Sequence, residues 1–423
     1  MSAQADGSRQ VSGTIDTSDY YGSVAAAANG YVFFAGTAID ESGRLAPGAV
    51  PDEPYQTSPV AQAERQAEVI FASLDQSLAR LGSSVSNIVQ IENYVQLKVH
   101  SNAFFKVATS KRYLGQAVPV AATAQVGSYV PQGAVAAVTG IAIIPDEASG
   151  LIKGEPPDPS GKASANRKFS ELIYAGPYLY TTIFPSDRKS GLPEAARTPS
   201  WIWSGSEIGA ELKWGLGELG DRLKELGATA DDIVDYTVFL TDPGDLYEVD
   251  LAMAAAMPSG PPTRTVVPSK GFALPRREGA FGHEDGAPRM EMQFRIRRPE
   301  HAADKRSVAA RGSGSGFQAD AVELGGLLWL GSQVASPATR GDTGTEVSEI
   351  LDRLQQVAAD GGSDLARALR IRAVLTRPDQ AEPFFAGLRK AIPNDPPAVS
   401  VVVAPTALST PDASLSIDAV VAS

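Results

Sequence analysis

Arg264 stands alone in an apolar, strand-like stretch, Pro262-Thr-Arg-Thr-Val-Val267. A planar guanidinium there is suited to hold a carboxylate through two parallel hydrogen bonds. Two other stretches share the layout without the charge, Pro119-Val-Ala-Ala-Thr-Ala124 and Pro397-Ala-Val-Ser-Val-Val402. One arginine in three matching slots points to one working pocket. His283, one of only 3 histidines, titrates near neutral pH and stands as a candidate acid or base. Its competing reading is a solvated loop tip.

The chain contains no cysteine, which excludes a thiol nucleophile, a thiolate metal site and a disulfide framework. No spacing reads as a metal cluster, and neither metal nor cofactor is expected. A net charge of −12 argues against a nucleic-acid partner. No apolar run approaches the roughly 20 residues of a membrane span. The polar start, Met1 to Thr17, lacks a secretory pattern, so a cytoplasmic protein is expected.

The elements that position Arg264 recur along the chain. At 423 residues the length calls for two or three domains. Apolar strands begin at Tyr31, Tyr178 and Leu327. Each precedes an amphipathic helix, marked by Ala63, Ala67, Ile70, Leu74 and Leu78 in the first copy. Ile208, Leu212, Leu219 and Leu223 mark it in the second, and Val347, Leu351, Leu354 and Val357 in the third. Gly82, Gly227 and Gly361 are the expected left-handed caps. A strand follows in each copy, at 87–95, 232–240 and 368–375, then a second helix around 102–115, 245–257 and 381–392. The proline-led strand and a closing strand complete each unit. Proline- and glycine-rich stretches at 146–166 and 299–316 read as connectors. They divide the chain into domains at about 18–145, 167–298 and 317–423. The basic run Arg295 to Arg298 reads as a solvated strand edge.

The residues from Tyr31 through Leu81-Gly82, Asn87-Ile-Val89, Tyr113-Leu-Gly and Pro119 to Val138-Thr-Gly-Ile-Ala142 resemble the RidA/YjgF family of imine and enamine deaminases. The other two segments resemble it more weakly. The resemblance implies an α+β fold of chorismate-mutase-like architecture. It also implies trimers with clefts between neighbouring subunits, so that three fused copies make an intramolecular pseudo-trimer. It places the family's carboxylate-binding arginine at Arg264, with Ala121 and Val399 as counterparts. The family's water-orienting glutamate falls at Glu291, with Ala137 and Ser416 as counterparts. Other implied substrate-binding positions are Thr181 and Thr182 at the end of the first strand, Phe317 at a cleft-lining tyrosine, and Asp250 and Phe385 at a helix-2 asparagine. Lys168 is the second copy's counterpart of the tyrosine. Val266 replaces a frequent cysteine and makes the pocket more apolar.

Both polar groups persist in the same copy, so the two are expected to meet in one cleft. An arginine and a carboxylate converging in an apolar cleft can fix an anionic substrate and move a proton while water attacks an imine. The alternative is a structural ion pair between strands. The interval from Arg264 to Glu291 is 27 residues, against 16 and 17 in the other copies, so the second copy carries an inserted loop that includes His283. Such a loop could serve as a lid. Trp201 and Trp203 either border a pocket or pack.

The expected function is a cofactor-independent imine or enamine deaminase, or related C–N hydrolase, acting on a small-molecule carboxylate substrate. Alternatives are a hydrolase or lyase on another unsaturated acid, chorismate- or muconate-like, and a non-catalytic ligand-binding or scaffold protein. The chain is expected to be a monomer or a low-order homo-oligomer.

Overall fold

The computed structural model describes residues 8–50, 59–115, 117–155, 169–186, 192–198, 206–272, 287–301, 304–308 and 317–423. One order of elements occurs in three successive runs of the chain. The first comprises β1 (Gln10–Asp16), β2 (Tyr21–Ala28), β3 (Tyr31–Thr37), α1 (Pro59–Arg80), β4 (Ile88–Val95), α2 (Lys98–Ala108), β5 (Val120–Gln125), β6 (Ser128–Tyr129) and β7 (Ala136–Ile143). The second comprises β8 (Lys153–Gly154), β9 (Leu172–Ala175), β10 (Tyr178–Ile183), α3 (Glu207–Glu225), β11 (Ile233–Leu240), α4 (Leu246–Ala256), β12 (Thr263–Pro268) and β13 (Met290–Arg297). The third comprises β14 (Arg306–Val308), β15 (Ala321–Leu324), β16 (Leu327–Gln333), α5 (Thr343–Asp360), β17 (Ala368–Leu375), α6 (Ala381–Ala391), β18 (Ala398–Val403) and β19 (Leu415–Ala422).

The structure is a mixed α+β fold. Strand order within each run is the same: β5-β4-β7-β3-β2, β12-β11-β13-β10-β9 and β18-β17-β19-β16-β15. The proline-led strand lies parallel to its neighbour in all three, and the closing strand runs antiparallel on the other side. The first and third runs share one sheet, because β18 also pairs with β2.

The helices form where the apolar stripe and the caps agree. In α1 the stripe Ala63, Ala67, Ile70, Leu74 and Leu78 is wholly buried. Ser206 caps α3 by accepting from the Gly209 N–H at 3.0 Å, and Asp342 caps α5 through the Thr345 N–H at 2.7 Å. Gly82 and Gly227 adopt the expected left-handed backbone, at φ +81° and +68°. In the third run that role falls to Gly362, at φ +84°, one residue beyond the expected Gly361. The second helix of the first run ends at Ala108 rather than 115, where the Thr109 hydroxyl turns back to the Phe105 carbonyl at 2.7 Å. Three stretches expected to be tail or connector contribute strands: β1 pairs with β2, β8 with β9, and β14 with β15.

Each helix pair covers one side of its own sheet, giving three outer cores. The other faces meet in a common interior to which all three runs contribute, with Phe33, Tyr178 and Trp329 among its rings. The middle of that interior is charged. Glu92 accepts from Arg295 and Arg372 at 2.7 Å each, Asp235 pairs with Arg295 at 3.0 Å, and Asp418 pairs with Arg370 at 2.8 Å and Arg372 at 2.7 Å. Thr237 and Tyr94 donate to Glu92 as well. All six charged side chains are buried, and three carboxylates balance three guanidiniums. Ions buried this deeply persist because their partners replace lost water. The network corrects the expectation of a solvated edge at Arg295 to Arg298. Arg295 is only 1% exposed, because alternation along β13 turns Ile296 into the helix-side core and Arg295 to the opposite, interior face; Arg297 shares that face and, at the strand's end, pairs with Asp232 at 2.6 Å. Among the described residues no helix is long and apolar enough to cross a membrane.

Candidate functional site

Arg264 lies on β12, at the edge of the second run's sheet, and is 4% exposed. Its Nη1 donates to the Asp250 carboxylate, which α4 presents from the helix side. The backbone N–H of Phe317 also donates to Asp250. Burial raises the Asp250 pKa from its ordinary value, and the Arg264 charge opposes that rise. Tyr236 pairs with Arg264 across β11 and β12, and burial pushes its phenol up to about 12. The Arg264 Nε is buried without a hydrogen-bond partner. A buried guanidinium N–H in that state is uncommon.

The arginine faces a cavity of about 360 Å³ between β12 and the third run. Leu246 and Val266 line the near side, and Val266 makes that wall apolar as the sequence suggests. Across from them stand Gln318, Ser332, Gln333, Ser409 and Ser416, with Arg340 and Arg353. The Ala319 N–H bonds the Pro262 carbonyl at 2.8 Å, so the start of the third run is laced to the residue that leads into β12. The cavity is thus assembled from two runs, cationic on several sides and carrying hydroxyl and amide groups able to orient a small polar molecule.

Glu291 is not part of it. On β11, Arg264 is in register with Tyr236 and Glu291 with Phe239. Side chains alternate between sheet faces, so positions three residues apart point to opposite sides. Tyr236 accordingly packs in the helix-side core and Phe239 in the interior. The expected convergence of Arg264 and Glu291 is therefore corrected: Arg264 pairs with Asp250, while Glu291 accepts the Thr123 N–H of β5, in the first run, at 3.1 Å. Burial raises the Glu291 carboxyl to about 8, the Thr123 N–H opposes this, and the Glu92 charge adds to it. The third run supplies Ser416, the counterpart of Glu291, to the Arg264 cavity.

The remaining candidates also divide between places. Asp250 and the Phe317 backbone belong to the Arg264 site. Thr181 bonds the Glu171 carbonyl at 2.7 Å and accepts from Arg222 at 3.2 Å. Thr182 accepts from the same arginine through its carbonyl, and its own hydroxyl is buried without a partner. Both stand on β10, beside β13 and away from the cavity. Phe385 is buried against Tyr20, with ring centroids 5.0 Å apart, in the core beneath α5 and α6. His283, Lys168, Trp201 and Trp203 lie outside the described residues. Sequence reading missed Arg340, Arg353, Gln333 and Ser409, which come from loops, a helix and a strand end where no periodicity singles them out.

No family model matches the chain, and no curated protein sequence matches it. Among solved structures it is similar to a chorismatase, with 11% identity, a TM-score of 0.49, and coverage of 80% of this chain and 93% of that one. It is also similar to Rv2704 of Mycobacterium tuberculosis, described as a member of the YjgF/YER057c/UK114 family, at 22% identity and a TM-score of 0.26. RidA from the Antarctic bacterium Psychrobacter sp. PAMC 21119 matches at 14% and 0.26. Each of these two covers 28% of this chain and 100% of its own.

Proposed function

We propose that the chain is a small-molecule enzyme of hydrolase type that takes up a carboxylate-bearing substrate in the cavity between β12 and the third run. One observation carries the proposal: Arg264 is buried, fixed by Asp250, and lines a cavity whose far side carries hydroxyl, amide and further guanidinium groups. A substrate carboxylate accepts from the Arg264 guanidinium. In the deaminase reading, water adds to the carbon of a C=N bond, the nitrogen takes up protons, and ammonia leaves as the carbonyl forms. Proton transfer then falls to Asp250, the carboxylate beside Arg264, because Glu291 faces the opposite way.

The same proposal takes the chain as three tandem RidA-type domains, at about 18–145, 167–298 and 317–423, closed into an intramolecular pseudo-trimer. Supporting it are the recurring strand order and three junctions. The edge of the second run meets the third at β12, that of the third meets the first at β18 and β2, and that of the first meets the second where Thr123 bonds Glu291. A second reading, a hydrolase or lyase on another unsaturated acid, is favoured by Ser416. It supplies a hydroxyl to the cavity at the position where the family has its glutamate.

Calorimetric titration with small carboxylic acids tests the cavity. We expect one site per chain, lost in Arg264→Gln; binding that survives this substitution refutes the proposal. Ammonia release from an imino acid generated in situ tests the reaction. Turnover lost in Asp250→Asn with binding retained supports the deaminase reading, and no turnover by the wild type moves the choice to the second.

A further inference from the structure

The charges lining the cavity are not equally committed. Arg264 is met by Asp250, and Arg353 by Glu349 at 2.6 Å. Arg340 has no carboxylate within ion-pair reach among the described residues. Its Nε donates to the Ala335 carbonyl at 3.2 Å and its Nη1 to the Pro411 carbonyl at 2.8 Å. Two neutral acceptors thus fix the plane of the guanidinium without cancelling its charge, and Nη2 makes no bond to the described protein. The Ser409 hydroxyl, on the same cavity, is also buried without a partner. Leu246, Val266, Val334 and Leu408 supply apolar lining. The cavity therefore holds two separate arginine sites from two runs of the chain, with apolar surface among its walls.

Resting on the proposal that Arg264 takes a substrate carboxylate, we infer that the ligand is a dicarboxylate, its first carboxylate on Arg264 and its second on Arg340. A monocarboxylate leaves the Arg340 charge unanswered. A second carboxylate satisfies Nη2 and gives the Ser409 hydroxyl an acceptor, while the carbon chain between the acids meets the apolar lining. Arg340 becomes the residue that selects between singly and doubly charged acids.

The test is calorimetry on the full chain with the series from butanedioate to octanedioate, each against the monoacid of the same length. We expect the best diacid to bind about tenfold or more tighter than its monoacid. Arg340→Gln should bring the diacid down to the monoacid's affinity without changing the latter, and Arg340→Lys should restore part of the preference. A wild type that does not distinguish the two, or a preference that survives Arg340→Gln, overturns the inference. Arg264→Gln separates this failure from that of the underlying proposal: both acids should lose affinity there. Unchanged binding in that variant, or no binding by any acid to the wild type, brings down the cavity assignment itself.

Discussion

Replacing Glu291 with glutamine should remove a pH dependence of stability that the fold builds in. The carboxyl is 5% exposed, accepts one backbone N–H from Thr123 at 3.1 Å, and stands near the Glu92 carboxylate. Burial lifts it to about 8 from an ordinary 4.5. A group whose folded-state pKa is raised contributes fully below its unfolded pKa and loses that contribution as pH rises through the folded value. At about 1.4 kcal/mol per pKa unit, the interval corresponds to roughly 5 kcal/mol as an upper bound, lost between pH 4.5 and 8. Glutamine keeps an acceptor for Thr123 and carries no charge. The measurement is urea unfolding of both proteins at several pH values from 5 to 9, followed by tryptophan fluorescence. We expect similar stability near pH 5 and a variant more stable by about 2–5 kcal/mol at pH 9. Parallel curves across the range would show that Glu291 ionises freely in the folded protein, and the geometry argued for it would be wrong.

Glu92 joins Arg295 and Arg372 in the interior, so Glu92→Gln leaves three guanidiniums facing two carboxylates. Removing one partner of a buried pair costs about 3–5 kcal/mol, and an unchanged Tm would refute the assignment. Glu211, on α3, accepts the N–H groups of Arg289 and Met290, and burial raises it to about 7. Its contribution is therefore lost as pH rises through about 7, and Glu211→Gln should match or exceed the wild type in stability at pH 8.5. Gln66 already serves this way in the first run, accepting the Val135 N–H at 2.8 Å. A marked loss of stability at that pH would sink the comparison.

The order of elements was legible because each rests on local signals: the apolar stripe of α1 and the glycines at helix ends. The internal charges were not. Glu92, Arg295, Arg372 and Asp418 come from four strands in three runs, and only tertiary register shows that their charges cancel. Arg340 and Ser409 were illegible for a similar reason, since their role depends on which carbonyls and which cavity the loops bring to them.

Arg264 is legible as the odd residue in a repeated slot, but its companion follows from strand parity rather than from membership of the same run. Pairing through β11 puts Tyr236 and Phe239 three residues apart, so Arg264 and Glu291 serve opposite faces. The resemblance itself carried the signal, because clefts between neighbouring subunits require groups from different copies. Ala121 with Ile91 and Ala137 with Tyr94 show the same offset in the first run, and Val399 with Ile371 and Ser416 with Val374 in the third. The two positions of one run therefore face two different junctions. The second run thus gives one junction an arginine and another a carboxyl, and the site proposed at Arg264 is completed by Asp250 and the third run's side chains.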